Sequence, residues 1–198
     1  MVSKFNIEEY LDSLSDDVNV IDVSHKNFDY LPDLSRFKKL ERLCCSFNNL
    51  MSLPVLPKNL RELYCSGNNL TSLPVLPKNL RELYCSGNNL TSLPNLPEKL
   101  EKLFCLSNNL TSLPNFPEKL KNWSFFGNSI FKIINNNDLN IIKKNIRIMN
   151  NFRYLYYCLK YRKIFLKMME PIIKKRYHPS YLYNLEEEDD LDEKLDKW

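Results

Sequence analysis

Residues 52–74 recur unchanged as residues 72–94, so the chain repeats with a period of 20. A unit this short cannot bury an apolar face alone, so copies must stack on one another. The period runs well beyond the identical pair. Taking Leu40, Leu60, Leu80, Leu100 and Leu120 as first positions, the fourth are Leu43, Leu63, Leu83, Leu103 and Trp123. The sixth are Cys45, Cys65, Cys85, Cys105 and Phe125, and the ninth are Asn48, Asn68, Asn88, Asn108 and Asn128. The eleventh are Leu50, Leu70, Leu90, Leu110 and Ile130.

These columns match the leucine-rich-repeat pattern, L-x-x-L-x-L-x-x-N/C-x-L. An imperfect first copy of 22 residues precedes them, with Val18, Ile21, Val23, Phe28, Leu31 and Pro32 in register and Lys26 where Asn is expected. The fold expected is therefore α/β: a leucine-rich-repeat solenoid of about six coils of 20–22 residues. Each coil adds one short strand to a parallel, concave sheet, and alternate side chains enter the core. Leu and Cys fill that core, a thiol being small and tolerant of apolar surroundings. The ninth-position Asn turns the chain and satisfies backbone groups in the turn. Prolines three apart, as in Pro54 with Pro57 and Pro74 with Pro77, exclude helix from the other half of the coil and favour a polyproline-II convex side.

Terminal coils expose core and need covers. Residues 1–17 are expected to form a helical cap over 6–14, with Asn6 and Glu9 as a capping pair and Tyr10, Leu11 and Leu14 as apolar contacts. The solenoid is assigned to 18–134. Residues 135–182 are read as a basic helical cap: Leu139, Ile142, Ile146 and Met149 follow helical spacing, and a second helix is expected from about Phe152 to Met169. Residues 183–198 read as an acidic, disordered tail.

Composition narrows the functions. Apolar residues make up 43% and net charge is +4, so global disorder is not expected. No signal sequence and no run of about 18 apolar residues is visible, which points to an intracellular, cytoplasmic protein without a membrane span. The repeated Asn-Leu-Thr triplets, such as Asn69 to Thr71, are then by-products of the repeat rather than glycosylation sites. A thiol column, one per strand, puts its cysteines in a line, whereas zinc requires four converging ligands. Reduced core thiols and no metal or other cofactor are therefore expected. The two histidines, His25 and His178, stand in no catalytic motif, and the three glycines form no phosphate loop, so no enzyme activity is expected.

The Leu-Pro-x-Leu-Pro halves of Leu60 to Asn79 and Leu80 to Lys99 resemble the LPX-type leucine-rich repeats of secreted effectors from enteric bacteria. That resemblance implies a scaffold that binds other proteins. Some of those effectors add a large C-terminal ubiquitin-ligase domain; the roughly 65 residues after the repeats are too few for one, and Cys158 lies in an apolar setting. Residues 161–182, from Tyr161-Arg162-Lys163 to Tyr181-Leu182, resemble C-terminal segments of proteins from giant DNA viruses of amoebae, which would place the protein in host cytoplasm or virion.

Two surfaces are candidates. On the concave face the fifth positions, Cys44, Tyr64, Tyr84, Phe104 and Ser124, should stack as an aromatic ladder, with Phe47 at an eighth position and Phe126 at a seventh. Positions two, three, five, seven and eight are all expected to face outward. Phe47, Tyr64, Tyr84, Phe104 and Phe126 are the candidate protein-binding residues, cross-strand stabilisation being the compatible alternative. Charges of opposite sign mix beside them, from Glu41, Arg61, Arg81 and Glu101 to Arg42, Glu62, Glu82 and Lys102, which reads as internal ion pairing. The second surface is the basic C-terminal segment, where Arg153, Lys160, Lys163 and Lys167 share a helical face opposite Tyr154, Cys158 and Tyr161. It reads either as a cap or as a binder of nucleic acid or anionic surfaces.

Overall fold

The computed structural model describes residues 5–134 and 138–160, with side chains as far as Tyr154. The chain divides into two units, residues 1–150 and 151–198. The first holds a helix α1 (Ile7–Asp12) and six strands: β1 (Val20–Asp22), β2 (Arg42–Cys44), β3 (Glu62–Tyr64), β4 (Glu82–Tyr84), β5 (Lys102–Phe104) and β6 (Asn122–Ser124). A short helix α2 (Phe131–Ile134) and a long one, α3 (Leu139–Lys160), follow. The strands form one sheet in sequence order, β1 to β6. Every pairing is parallel, and repeat positions face their equivalents, as in Leu43 opposite Leu63 and Tyr64 opposite Tyr84.

Three-residue strands are enough because each coil needs one inward side chain per strand, flanked by two outward ones. The first-, fourth-, sixth- and eleventh-position side chains of the coils starting at Leu40, Leu60 and Leu80 are fully buried. The Leu-Pro-x-Leu-Pro halves hold neither helix nor strand, as paired prolines require.

The ninth-position asparagines tie the coils together. Asn68 donates to the carbonyl of its own coil's Cys65 (3.1 Å) and to that of Cys45 in the preceding coil (3.0 Å), and it accepts from the Leu50 amide (3.0 Å). Asn88, Asn108 and Asn128 repeat the arrangement. Each asparagine therefore reaches back to serve the coil before it. This explains Lys26: the first coil has no predecessor, and its own turn is served by Asn48, which accepts from the Lys26 amide and donates to the Val23 carbonyl.

Both ends of the core are covered. Asn6 caps α1, accepting from the amides of Glu8 and Glu9, and Ile7 and Leu11 are buried against the first coil's cluster. Tyr10 and Leu14 pack there only partly buried. At the other end Ile134, Ile142 and Ile146 are buried in the same cluster as Phe125 and Ile130. The helix expected to begin near Phe152 does not start there, because α3 already runs unbroken from Leu139 to Lys160. Asparagine is only a mild helix breaker. The Asn150 amide, rather than capping, donates to the Leu113 carbonyl and to Asn115 Oδ1. No described helix is long and apolar enough to cross a membrane.

Candidate functional site

The outer sheet face carries three adjacent columns. Fifth positions give the aromatic ladder: the Tyr64 and Tyr84 rings stack at 4.6 Å, and Tyr84 and Phe104 at 5.1 Å, each pair within 11° of parallel. The spacing is that of neighbouring strands, so the backbone sets the stack. Stacking leaves these three only partly exposed.

Third positions give Arg42, Glu62, Glu82 and Lys102. Arg42 forms a two-pronged ion pair with Glu62, and Lys102 pairs with Glu82 at 2.9 Å. This leaves Glu62 directly opposite Glu82 in the ladder. The Tyr64 hydroxyl lies between them, 3.3 Å from the Glu62 carboxylate and 3.2 Å from that of Glu82, and can donate its proton to either. Arg42 as hydrogen-bond donor holds the Glu62 carboxyl below the usual range. Burial, and then the two carboxylates, push the Tyr64 hydroxyl upward. Second positions mirror the third with inverted sign: Arg61 pairs with Glu41 at 3.2 Å and Arg81 with Glu101 at 3.3 Å. The expected internal ion pairing is thus present in four pairs, each weakened by its exposure to solvent.

Seventh positions do not all face outward as the alternation suggested. Ser46 is buried, and its hydroxyl accepts the Ser66 amide of the next coil; Ser66 and Ser86 do likewise for Ser86 and Leu106. The chain is already turning after the sixth residue, so strict alternation ends there. Phe126, last in that column, is 61% exposed and meets Phe131 edge-on at 5.1 Å.

Eighth positions form a column of left-handed backbone: His25, Phe47, Gly67, Gly87, Ser107 and Gly127 all have positive φ, between 50° and 76°. Glycine is suited to that region, whereas a bulky side chain is strained there. Phe47 nevertheless adopts it, 57% exposed, with its ring stacked on His25 at 4.5 Å. It stands outside the fifth-position ladder. Nothing in periodicity marked its strain, although the column Phe47, Gly67, Gly87 held the signal.

The sixth-position thiols of Cys45, Cys65, Cys85 and Cys105 are buried and free, one per strand. Burial raises Cys65 and Cys105 to about 12. Half-buried Cys44 rises to about 11, from burial first and then from Asp22. A column of this kind packs as core.

On the basic segment, Arg153 is exposed and Lys160 ends α3; Lys163 and Lys167, the acidic tail and the virus-like segment all lie outside the described residues. Tyr154, expected opposite the basic face, is itself 70% exposed.

Missed in the sequence was a polar groove at the strands' leading edge, lined by Lys39, Asn59, Arg61, Asn79, Arg81 and Lys99 among others. Its signal was the repeated Lys-Asn-Leu-Arg of residues 58–61 and 78–81.

Comparison with known proteins agrees with this architecture. A family profile for leucine-rich repeats (two copies) matches residues 58–98. No curated protein matches by sequence. Among solved structures, the chain is similar to YopM from Yersinia enterocolitica, with 38% identity over 59% of this chain and 25% of that one, TM-score 0.56. It is similar to a Shigella effector leucine-rich-repeat domain, with 35% identity over 62% of this chain and 54% of that one, TM-score 0.55. YopM from Yersinia pestis, a leucine-rich effector protein, follows with 33% identity over 56% of this chain and 31% of that one, TM-score 0.52. The chain thus spans between a quarter and about half the length of these proteins. Its described coils are leucine-rich repeats stacked as a solenoid, the scaffold that such bacterial effectors also use.

Proposed function

We propose that the protein is a non-catalytic scaffold that binds a protein partner on its concave sheet face, with Phe47, Tyr64, Tyr84, Phe104 and Phe126 as contacts. Phe47 carries this reading. Stacking stabilises the sheet and so accounts for Tyr64, Tyr84 and Phe104 without any partner. Phe47 also stacks, on His25, but stacking does not require so bulky and exposed a residue in left-handed backbone, in a column where three of six residues are glycine. Local strain of this kind, roughly 1–3 kcal/mol, concentrates at functional positions. Rigid aromatic rings also supply contact area at low entropy cost, which is why they anchor interfaces. Leucine-rich-repeat scaffolds of the effector type support the choice of a protein as partner.

The test is affinity capture from the native cell with the wild-type chain, with Tyr64→Ser/Tyr84→Ser/Phe104→Ser and with Phe47→Gly. Each variant is first shown by circular dichroism to keep its fold. Loss of the same partner from both variants is expected. Retention by both places the contact elsewhere on the molecule.

A further inference from the structure

The geometry points to a phosphate-binding site in the groove between Arg61 and Arg81, suited to a phosphomonoester dianion. The groove, about 300 Å³, is lined by four cations, Lys39, Arg61, Arg81 and Lys99, against one carboxylate, Glu41. The amides of Asn59 and Asn79 complete its wall.

The two arginines occupy equivalent positions in adjacent coils, and the Arg81 amide donates to the Arg61 carbonyl at 2.7 Å. Their side chains therefore leave the backbone about 4.8 Å apart, and like charges directly opposite repel. Each guanidinium leans away from the other toward a glutamate on its far side, Arg61 to Glu41 and Arg81 to Glu101. Between them remains a space flanked by two cationic forks that still have unused N–H donors, since each is engaged by only one carboxylate. Lys99 donates to Asn79 Oδ1 at 2.8 Å, which turns the Asn79 amide nitrogen away from it as a further donor.

A carboxylate offers one charge and two oxygens, enough for one fork. A phosphomonoester offers nearly two charges and three terminal oxygens, enough to bridge both. Arginine suits this because its planar fork binds tetrahedral oxyanions in two-pronged fashion. The charge pattern follows from the repeat itself: the identical coils put Arg61 beside Arg81, and Glu41 and Glu101 lie in the different coils on either side.

The test is titration of the full chain with inorganic phosphate, followed by NMR of arginine side-chain N–H groups and the Asn59 and Asn79 amides. Saturable shifts at these groups are expected, weakening as pH falls below about 6 and phosphate loses its second charge. Arg61→Gln/Arg81→Gln should weaken binding at least tenfold. Lys58→Gln/Lys78→Gln removes the same charge from the same two loops without touching the groove lining, and should weaken it less than threefold. If Arg61→Gln/Arg81→Gln does not fold, Arg61→Lys/Arg81→Lys keeps the charge and removes the forks, and the same tenfold loss is expected. Glycerol phosphate and a phosphoserine peptide then distinguish the source: whichever binds tighter than inorganic phosphate identifies a small molecule or a modified protein as the donor of the group. Absence of saturation at about 20 mM phosphate, a free-energy scale weaker than millimolar binding, or equal weakening by Arg61→Gln/Arg81→Gln and Lys58→Gln/Lys78→Gln, overturns the site.

Discussion

The ring of Phe47 fills the space that a side chain on Gly67 would need: a Cβ built on Gly67 would lie 2.7 Å from Phe47 Cδ1. Gly67 has φ of +64° and Gly87 has +62°, but a Cβ on Gly87 would meet nothing closer than 3.7 Å. The two coils are identical in sequence around these glycines, so their difference isolates the contact with Phe47.

Gly87→Ala should therefore cost only the left-handed penalty, about 1–2 kcal/mol. Gly67→Ala should cost more than Gly87→Ala, because the Phe47 ring stacked on His25 must move aside. In a Phe47→Gly background the two alanine variants should become equal. Urea unfolding of the six chains checks this. Equal costs in the presence of Phe47 would mean that the ring does not rest over Gly67.

The asparagine column predicts a position-dependent cost. Asn88→Ala would leave the buried Leu70 amide without the acceptor it has at 3.0 Å, and would take one of two asparagine donors from each of the Cys65 and Cys85 carbonyls, which keep Asn68 and Asn108. An orphaned buried backbone group costs about 1–3 kcal/mol, so a loss of about that size is expected. Lys26, the ninth-position residue of the first coil, is exposed and serves no earlier coil. Lys26→Asn should change stability by less than about 0.5 kcal/mol. Chemical denaturation of both variants measures the contrast, and a substantial gain from Lys26→Asn would contradict the view that each asparagine serves the preceding coil.

Much of this architecture was legible because a period is a long-range signal. Once Leu60 and Leu80 are equivalent, strand pairing, register, the Cys45 to Cys105 column and the Tyr64, Tyr84, Phe104 stack all follow from stacking equal units. What the period does not encode is conformation within the unit. The left-handed eighth position appears in sequence as Gly67 and Gly87, but Phe47 and Ser107 hide it. The inward turn of Ser46 breaks an alternation that holds one residue earlier. The groove beside Arg61 and Arg81 was missed because each arginine was read along its column as half of an ion pair, while the cavity arises between two like charges. The helix boundary failed at Asn150 because composition does not reveal that its amide is occupied by Leu113 and Asn115.

The thiol column gives the protein an alkaline weakness. Burial raises Cys65 and Cys105 from an ordinary 9.0 to about 12, and raises Cys45 and Cys85 well above 9.0. Below pH 9 folded and unfolded chains hold the same thiol protons, and these groups add no pH dependence. Between about 9 and 12 the unfolded chain loses protons that the folded chain keeps, so stability falls as pH rises. Each such thiol contributes a slope of about 1.4 kcal/mol per pH unit. Urea midpoints should therefore decline steeply above pH 9. With half-buried Cys44 also raised, five thiols share this limb, so replacing Cys65 and Cys85 by valine, whose side chain does not titrate, should remove about two fifths of the thiol slope. A slope unchanged by the substitution would assign the alkaline limb to other groups.

The identical coils also predict the outcome of removing one. Deleting residues 72–91 joins Thr71 to Ser92, and the chain continues with the residues that normally follow an equivalent threonine. Five strands remain of the six. In the shortened sheet Glu62 faces Lys102 instead of Glu82, and Arg61 faces Glu101 instead of Arg81. The third-position column then reads Arg42, Glu62, Lys102 and the second reads Glu41, Arg61, Glu101, strictly alternating in sign. Tyr64 stacks on Phe104 directly. Because solenoid coils touch only their neighbours, the deletion removes one interface and replaces two like-charge contacts with opposite-charge ones. The variant should fold cooperatively, with its urea m-value lowered by about one sixth in proportion to surface buried. It should also lose phosphate binding, since the space between two arginines no longer exists. A variant that keeps full phosphate affinity would place the anion outside the Arg61 and Arg81 groove. One that unfolds without a cooperative transition would show that the coils are not interchangeable despite their identity.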